Sequence, residues 1–181
     1  SDTVFLSIAA GRTIGYFEEK LGGGAAVVRA MPNTPAAIGQ GITVLCPNAN
    51  TTAPQAYMCR DLMASVGEAE VVSDEALIDA VTALSGGGPA YVFLLIECLS
   101  KAGVQAGLPA DLAARLALVT VAGSGQLALA SDEPPSKLRE NVTSPGGTTL
   151  EALKILMADD GLQPLMTRAI AAATDRSREL A

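Results

Sequence analysis

The sequence predicts an α+β chain, an α/β part followed by an all-helical part. Three observations carry that expectation. Up to Ser73, short apolar runs alternate with stretches of helical spacing. Beyond Ser73 every periodic stretch has helical spacing, and none reads as a strand. Glycines and prolines stand at the changes of pattern. The boundary is placed near residue 73, which gives parts of 1–72 and 73–181.

In order, "TVFLSIAAG" reads as a buried strand ending in a turn, and "TIGYFEEKL" as a short helix stopped by Gly22, Gly23 and Gly24. "AAVVRAMPN" and "GITVLCPN" are strands closed by Pro32 and Pro47. "TAPQAYMCRDLMASVG" has helical spacing at Ala56, Cys59, Met63 and Val66, and "EAEVVS" is a short strand. In "DEALIDAVTAL", Leu77, Ile78, Val81 and Leu84 share a face. Pro89 and Pro109 sit where helices start, the second running to about Ser131. Pro134 and Pro135 break the chain before a short helix. One helix then runs from about Thr148 to Ala158, and a last one starts at Gly161.

Composition narrows the chemistry. Apolar residues make up 49% of 181, enough for a core, but aromatics are 3% and Trp and His are absent. The core is therefore built from Ala, Leu, Val and Ile, and any chemistry works without imidazole. A net charge of −7 without a basic run argues against nucleic acid and anionic membrane as partners. Cys46, Cys59 and Cys98 form no C-x-x-C, so neither a disulfide framework nor a metal site is expected. A reducing cytoplasm fits, and no leader is visible at Ser1. The stretch Leu116 to Ala130 reads as too short and too polar for a good membrane span. The middle helices are apolar nearly all round, which points to burial against a partner subunit.

Four segments are candidates for function. "NVTSPGGTTLEAL" sets two glycines and two threonines before a helix, an arrangement able to hold an anion on backbone N–H groups. Read alone, it is better taken as a loop that turns sharply and then caps. "AMPNTPAAIGQG" puts Asn33 and Thr34 at a stiff turn after a strand, where α/β sheets take ligands. "LSGGGPAYV" is a glycine corner, and Glu75 a carboxylate expected in a first helical turn. "GSGQLA" at Gly123 imitates a dinucleotide fingerprint, but no second strand follows it, so close helix packing is the better reading.

Taken together, "NVTSPGGTTLEAL", "RAMPNTPAAIGQG", "IDAVTALSGGGPAYVF" and "GLPADLAARLA" resemble pyrroline-5-carboxylate reductases, in order and over essentially the whole chain. The resemblance implies a remnant of a Rossmann-type domain followed by a helical dimerisation domain. The first strand resembles a segment from well inside the nucleotide domain, so the Gly-rich turn for the cofactor pyrophosphate is missing here. The implied reaction is hydride transfer from NADPH or NADH to 1-pyrroline-5-carboxylate, giving L-proline in the cytoplasm. By the same resemblance, Gly146, Gly147 and Thr148 donate N–H groups to the substrate carboxylate, and the Thr149 hydroxyl lies near the imine nitrogen. Glu75 lies near the substrate, and Asn141 reaches the cofactor. Ile8, Ala9 and Ala10 lie along the cofactor, with Asn33 and Thr34 on its nicotinamide side. A homodimer or higher homo-oligomer is implied. The alternatives are a reductase of the 6-phosphogluconate dehydrogenase-like group, for whose catalytic lysine Lys101 is the only candidate though its surroundings do not match that motif, or an inactive helical dimerisation fragment.

Overall fold

The computed structural model describes residues 3–180, so Ser1 lies outside the described residues. The chain forms two compact units. One runs to Pro89 and takes in the chain again from Arg168; the other is Ala90–Thr167.

The first unit is built on a four-stranded sheet in the order β1-β2-β3-β4. Its elements are β1 (Val4–Ser7), α1 (Ile14–Leu21), β2 (Ala26–Met31), β3 (Gly41–Pro47), α2 (Ala53–Ala64) and β4 (Gly67–Val71). The β1/β2 and β3/β4 pairs are parallel, each joined through a crossover helix. The β2/β3 pair is antiparallel. The link from Pro32 to Gln40 holds a 3-10 turn at Thr34–Ile38 and is too short for a parallel crossover. Alternation of strand and helix did not reveal that reversal; the missing helical pattern between two prolines was its signal.

Both faces of the sheet are covered, so every residue of β2 is buried. On one face Met31 and Cys46 pack with Ile14 of α1 and with Ile78 of α3 (Leu77–Val81). On the other, Val28, Ala30 and Leu45 pack with Cys59 of α2. Thr52 starts α2 with a full capping box, its hydroxyl and the Gln55 side chain each serving the other's backbone. Gly67 starts β4 at φ +148°, and a Cβ there would run into the Gly41 backbone. Gly67→Ala should therefore destabilise the chain by about 1–3 kcal/mol or more. Urea denaturation with an unchanged midpoint would contradict this.

α3 packs on the sheet through the fully buried Ile78 and lies within the first compact unit. A π-helical turn, Thr82–Gly86, follows it, and α4 (Gly88–Gln105) carries the chain into the second unit. There α4 and α5 (Ala110–Ala130) form a hairpin. A Cβ on Gly103 would lie 3.2 Å from the Ala113 Cβ, so glycine permits the close approach. The remaining helices are α6 (Pro135–Asn141), α7 (Thr148–Leu156) and α8 (Leu162–Glu179), and Gly123 and Gly125 lie inside α5. α4 has no buried residue, and α5 buries Ala113 and Ala117. The stretch Leu77–Gln105 and helix α5 are long and apolar enough to cross a membrane by length and composition. The sequence reading concerned the shorter stretch Leu116 to Ala130, which is only part of α5.

Candidate active site

In the first unit the candidate residues gather at the carboxyl ends of β1 and β2, which point the same way because the strands are parallel. Ile8, Ala9 and Ala10 follow β1 directly and are exposed. The Ala9 N–H donates to Ser7 Oγ at 3.3 Å, and Gly11 turns the chain at φ +67°. Small side chains and an exposed Ile8 leave a bare, partly apolar ledge, which suits close approach of a flat ring.

Beside it, Asn33 and Thr34 begin the link after β2. Asn33 differs from the sequence expectation of a free polar tip. Its Oδ1 accepts the Ile42 N–H at 2.9 Å, and its Nδ2 donates to Ser85 Oγ at 3.3 Å. The amide thus ties β3 and the π-helical turn to the link after β2, while Thr34 remains exposed. Ser85 escaped the sequence reading, because a serine in a glycine corner carries no periodic signal.

Glu75 precedes α3 rather than lying in its first turn, and it serves a different helix. Its Oε1 accepts the Ile14 N–H at 2.8 Å, at the positive end of α1. The same oxygen accepts from Arg29 Nη1 at 2.8 Å. Arg29 is 2% exposed, and its Nε and Nη2 are buried without an acceptor. A lone cation inside the apolar run "AAVVRAM" was the signal that sequence reading missed. Burial pushes the neighbouring Cys46 thiol above its ordinary value of 9.0; Glu75 and Asp74 push the same way and Arg29 opposes them. Burial also raises Cys59. Both are resting, neutral thiols rather than nucleophiles.

In the second unit the candidate is the turn before α7. Gly146 has φ +69°, and the Gly147 N–H donates to Ser144 O at 3.0 Å, closing the turn. A Cβ on Gly147 would meet the Ser144 hydroxyl, which would have to rotate away; the backbone itself, at φ −78°, suits any residue. Gly147 was expected to offer its N–H outward; here the turn uses it. As the N-cap of α7, Gly147 supplies no capping side chain. The Thr148 and Thr149 N–H groups, at the first two helical positions, have no acceptor within the helix, and both residues are exposed. Asn141, at the end of α6, donates from Nδ2 to Glu133 Oε2 at 2.8 Å. Sequence reading passed over Glu133. Among the described residues no cluster of His, Cys, Asp and Glu suits a metal ion.

Comparison with known proteins places this geometry. The sequence profile of "Pyrroline-5-carboxylate reductase dimerisation" matches residues 75–180. The pyrroline-5-carboxylate reductase of Pseudomonas aeruginosa is 46% identical over 180 residues, 99% of this chain and 66% of that protein. The enzyme of the same name from Pisum sativum is 41% identical over 179 residues, 99% of this chain and 64% of that protein. Among solved structures, a pyrroline-5-carboxylate reductase from Coxiella burnetii has a TM-score of 0.94 at 40% identity, covering 100% of this chain and 67% of its own. A Plasmodium falciparum pyrroline carboxylate reductase, solved with NADP bound, has a TM-score of 0.87 at 36% identity, covering 98% and 67%. The chain spans just under two thirds of the length of these curated relatives, and it belongs to the pyrroline-5-carboxylate reductase family.

Proposed function

We propose that the protein carrying this chain reduces 1-pyrroline-5-carboxylate to L-proline with NADPH or NADH, the last step of proline synthesis. The observation that carries the reading is the start of α7. A glycine N-cap leaves the Thr148 and Thr149 N–H groups unplugged beside an exposed threonine hydroxyl. That combination suits a small substrate with a carboxylate and a reducible ring nitrogen. Gly146 and Thr148 N–H groups hold the carboxylate, and Gly147 closes the turn that aims them. The Thr149 hydroxyl holds the ring nitrogen. NAD(P)H, when bound, supplies the hydride. Ile8, Ala9, Ala10 and Thr34 line its ledge, Asn33 fixes the link after β2, Glu75 fixes the start of α1, and Asn141 is assigned to the cofactor by the resemblance alone. The dinucleotide-binding part is read as 1–72 and the helical part as 73–181, a reading that a family profile starting at residue 75 supports.

The test uses a chain extended by the nucleotide-binding segment that the relatives carry. Imine-dependent oxidation of NADPH or NADH, with L-proline as product, is expected. Turnover of hydroxyacids but not the imine would overturn the reading.

The exposed apolar faces of α4 and α5 are read as the seat of a second copy, giving a homodimer or a larger homo-oligomer, rather than as membrane spans. Leu99, Leu108, Leu116 and Gly103 line a groove of about 190 Å³ between the two helices. Gly123 has open space around it, which a second copy would fill. Gly123→Leu should weaken the dimer by about 1–3 kcal/mol through overfilling. Analytical ultracentrifugation that finds the unmodified chain monomeric at micromolar concentration would contradict this. Three free cysteines suit a reducing cytoplasm.

A further inference from the structure

The turn that follows the β1 ledge is held from two sides, and one of them comes from the far end of the chain. Gly11 sits at φ +67°, and a Cβ there would lie 2.9 Å from Leu180 O and 3.3 Å from Leu180 Cβ. The last turn of α8 therefore rests directly on the Gly11 backbone. That turn is itself anchored: Ser177 is 7% exposed, and its hydroxyl donates to Asp79 Oδ1 of α3 at 2.7 Å. Leu180 N–H donates to Ser177 O at 3.2 Å, so the anchor and the contact belong to one turn. On the other side, Glu75 accepts the Ile14 N–H at 2.8 Å and fixes where α1 begins. Residues 11–14 are thus bracketed between α8 and the segment leading into α3.

We infer that Ser177 and Leu180 are positioning residues for the cofactor ledge. They hold the Gly11 turn, and through it Ala9 and Ala10, in the conformation that accepts the nicotinamide nucleotide. The inference rests on the proposed place of the cofactor at Ile8–Ala10. Ser177 and Leu180 lie outside every segment that the sequence motifs single out, and their effect is indirect. A turn gripped on one side only samples open conformations. If its competent fraction falls to about a tenth, apparent affinity falls about tenfold, without any change in how the substrate carboxylate is held.

The experiment uses the extended chain, unmodified, with Ser177→Val, and with a stop after Ser177 that removes the Leu180 contact. Hydrogen exchange of the Gly11–Phe17 amides is measured without cofactor. The NADPH Kd is measured by calorimetry, and the imine KM at saturating NADPH. Both variants are expected to exchange about tenfold faster in that segment and to bind NADPH about tenfold more weakly, with the imine KM unchanged. If the shortened chain fails to fold, Ser177→Val decides alone. Variants that bind NADPH as tightly as the unmodified chain overturn the inference and leave the proposed function standing. An unmodified chain that binds no nicotinamide nucleotide overturns both. A rise in imine KM equal to the rise in Kd also overturns it, because a general loosening of the fold would do that.

Discussion

Glu75→Ala is expected to destabilise the chain by about 3–5 kcal/mol, the cost of leaving a buried charge without its partner. The Arg29 side chain is 3% exposed, and one hydrogen bond, Nη1 to Glu75 Oε1 at 2.8 Å, compensates its charge. Its Nε and Nη2 already lack acceptors, so removing Glu75 leaves the whole guanidinium uncompensated. The Ile14 N–H loses its acceptor at the same time, which loosens the start of α1. Glu75→Gln keeps one oxygen for both donors and should cost less. Arg29→Met should also cost less than Glu75→Ala: it removes the unsatisfied donors together with the charge, and the Glu75 side chain, 29% exposed, can hydrate. The double variant Arg29→Met/Glu75→Ala should then recover part of the single loss, a coupling that a thermodynamic cycle resolves. Urea denaturation of the four chains is the measurement. A double variant no more stable than Glu75→Ala would contradict the argument.

The same pair illustrates what the sequence made legible. Periodicity and punctuation located the strands and helices because each buries one face or stripe, and burial leaves a local pattern. Thr13, Thr52, Pro89 and Pro109 mark their helix starts in the sequence itself. The antiparallel turn between β2 and β3 was less legible, since direction depends on what a link cannot form rather than on what it contains. The partners of the site were not legible at all. Glu75 meets Arg29 across 46 positions, Ser177 meets Asp79 across 98, and Asn33 meets Ser85 across 52. No local rule links residues so far apart. The turn before α7 is the opposite case. There Ser144, Pro145, Gly146, Gly147 and Thr148 form the structure among themselves, so the sequence carries nearly all of it. What the sequence did not reveal even there is which N–H closes the turn. That depends on the left-handed conformation of Gly146, which turns the Gly147 N–H back toward Ser144 O.

That turn carries the second large effect. In the extended chain, Thr149→Val should lower kcat/KM for the imine roughly ten- to hundredfold while leaving NADPH affinity nearly unchanged. Valine keeps the β-branched shape of threonine, so the first turn of α7 should survive the substitution. Thr143 nearby shows what a structural hydroxyl does here: it donates back to Arg139 O at 2.6 Å. Thr149, by contrast, is exposed at the second position of α7, on a helix start that no side chain caps. In the proposed reaction the substrate is the protonated imine: hydride adds to the ring carbon, the C=N π pair becomes a lone pair on nitrogen, and the Thr149 hydroxyl can donate to it. That hydrogen bond strengthens on the way to the transition state, so its loss appears in turnover rather than in binding alone. Leaving that forming lone pair without a donor in a closed site costs about 1–3 kcal/mol, which sets the size of the expected loss. In the proposed reading the carboxylate sits on backbone N–H groups that the substitution leaves in place, so L-proline should still inhibit as a product. Steady-state kinetics of the two chains at saturating NADPH decide the matter. An unchanged kcat/KM would remove Thr149 from the chemistry and leave the turn as a carboxylate cradle, whereas a loss of proline inhibition together with turnover would mean that the turn itself had collapsed.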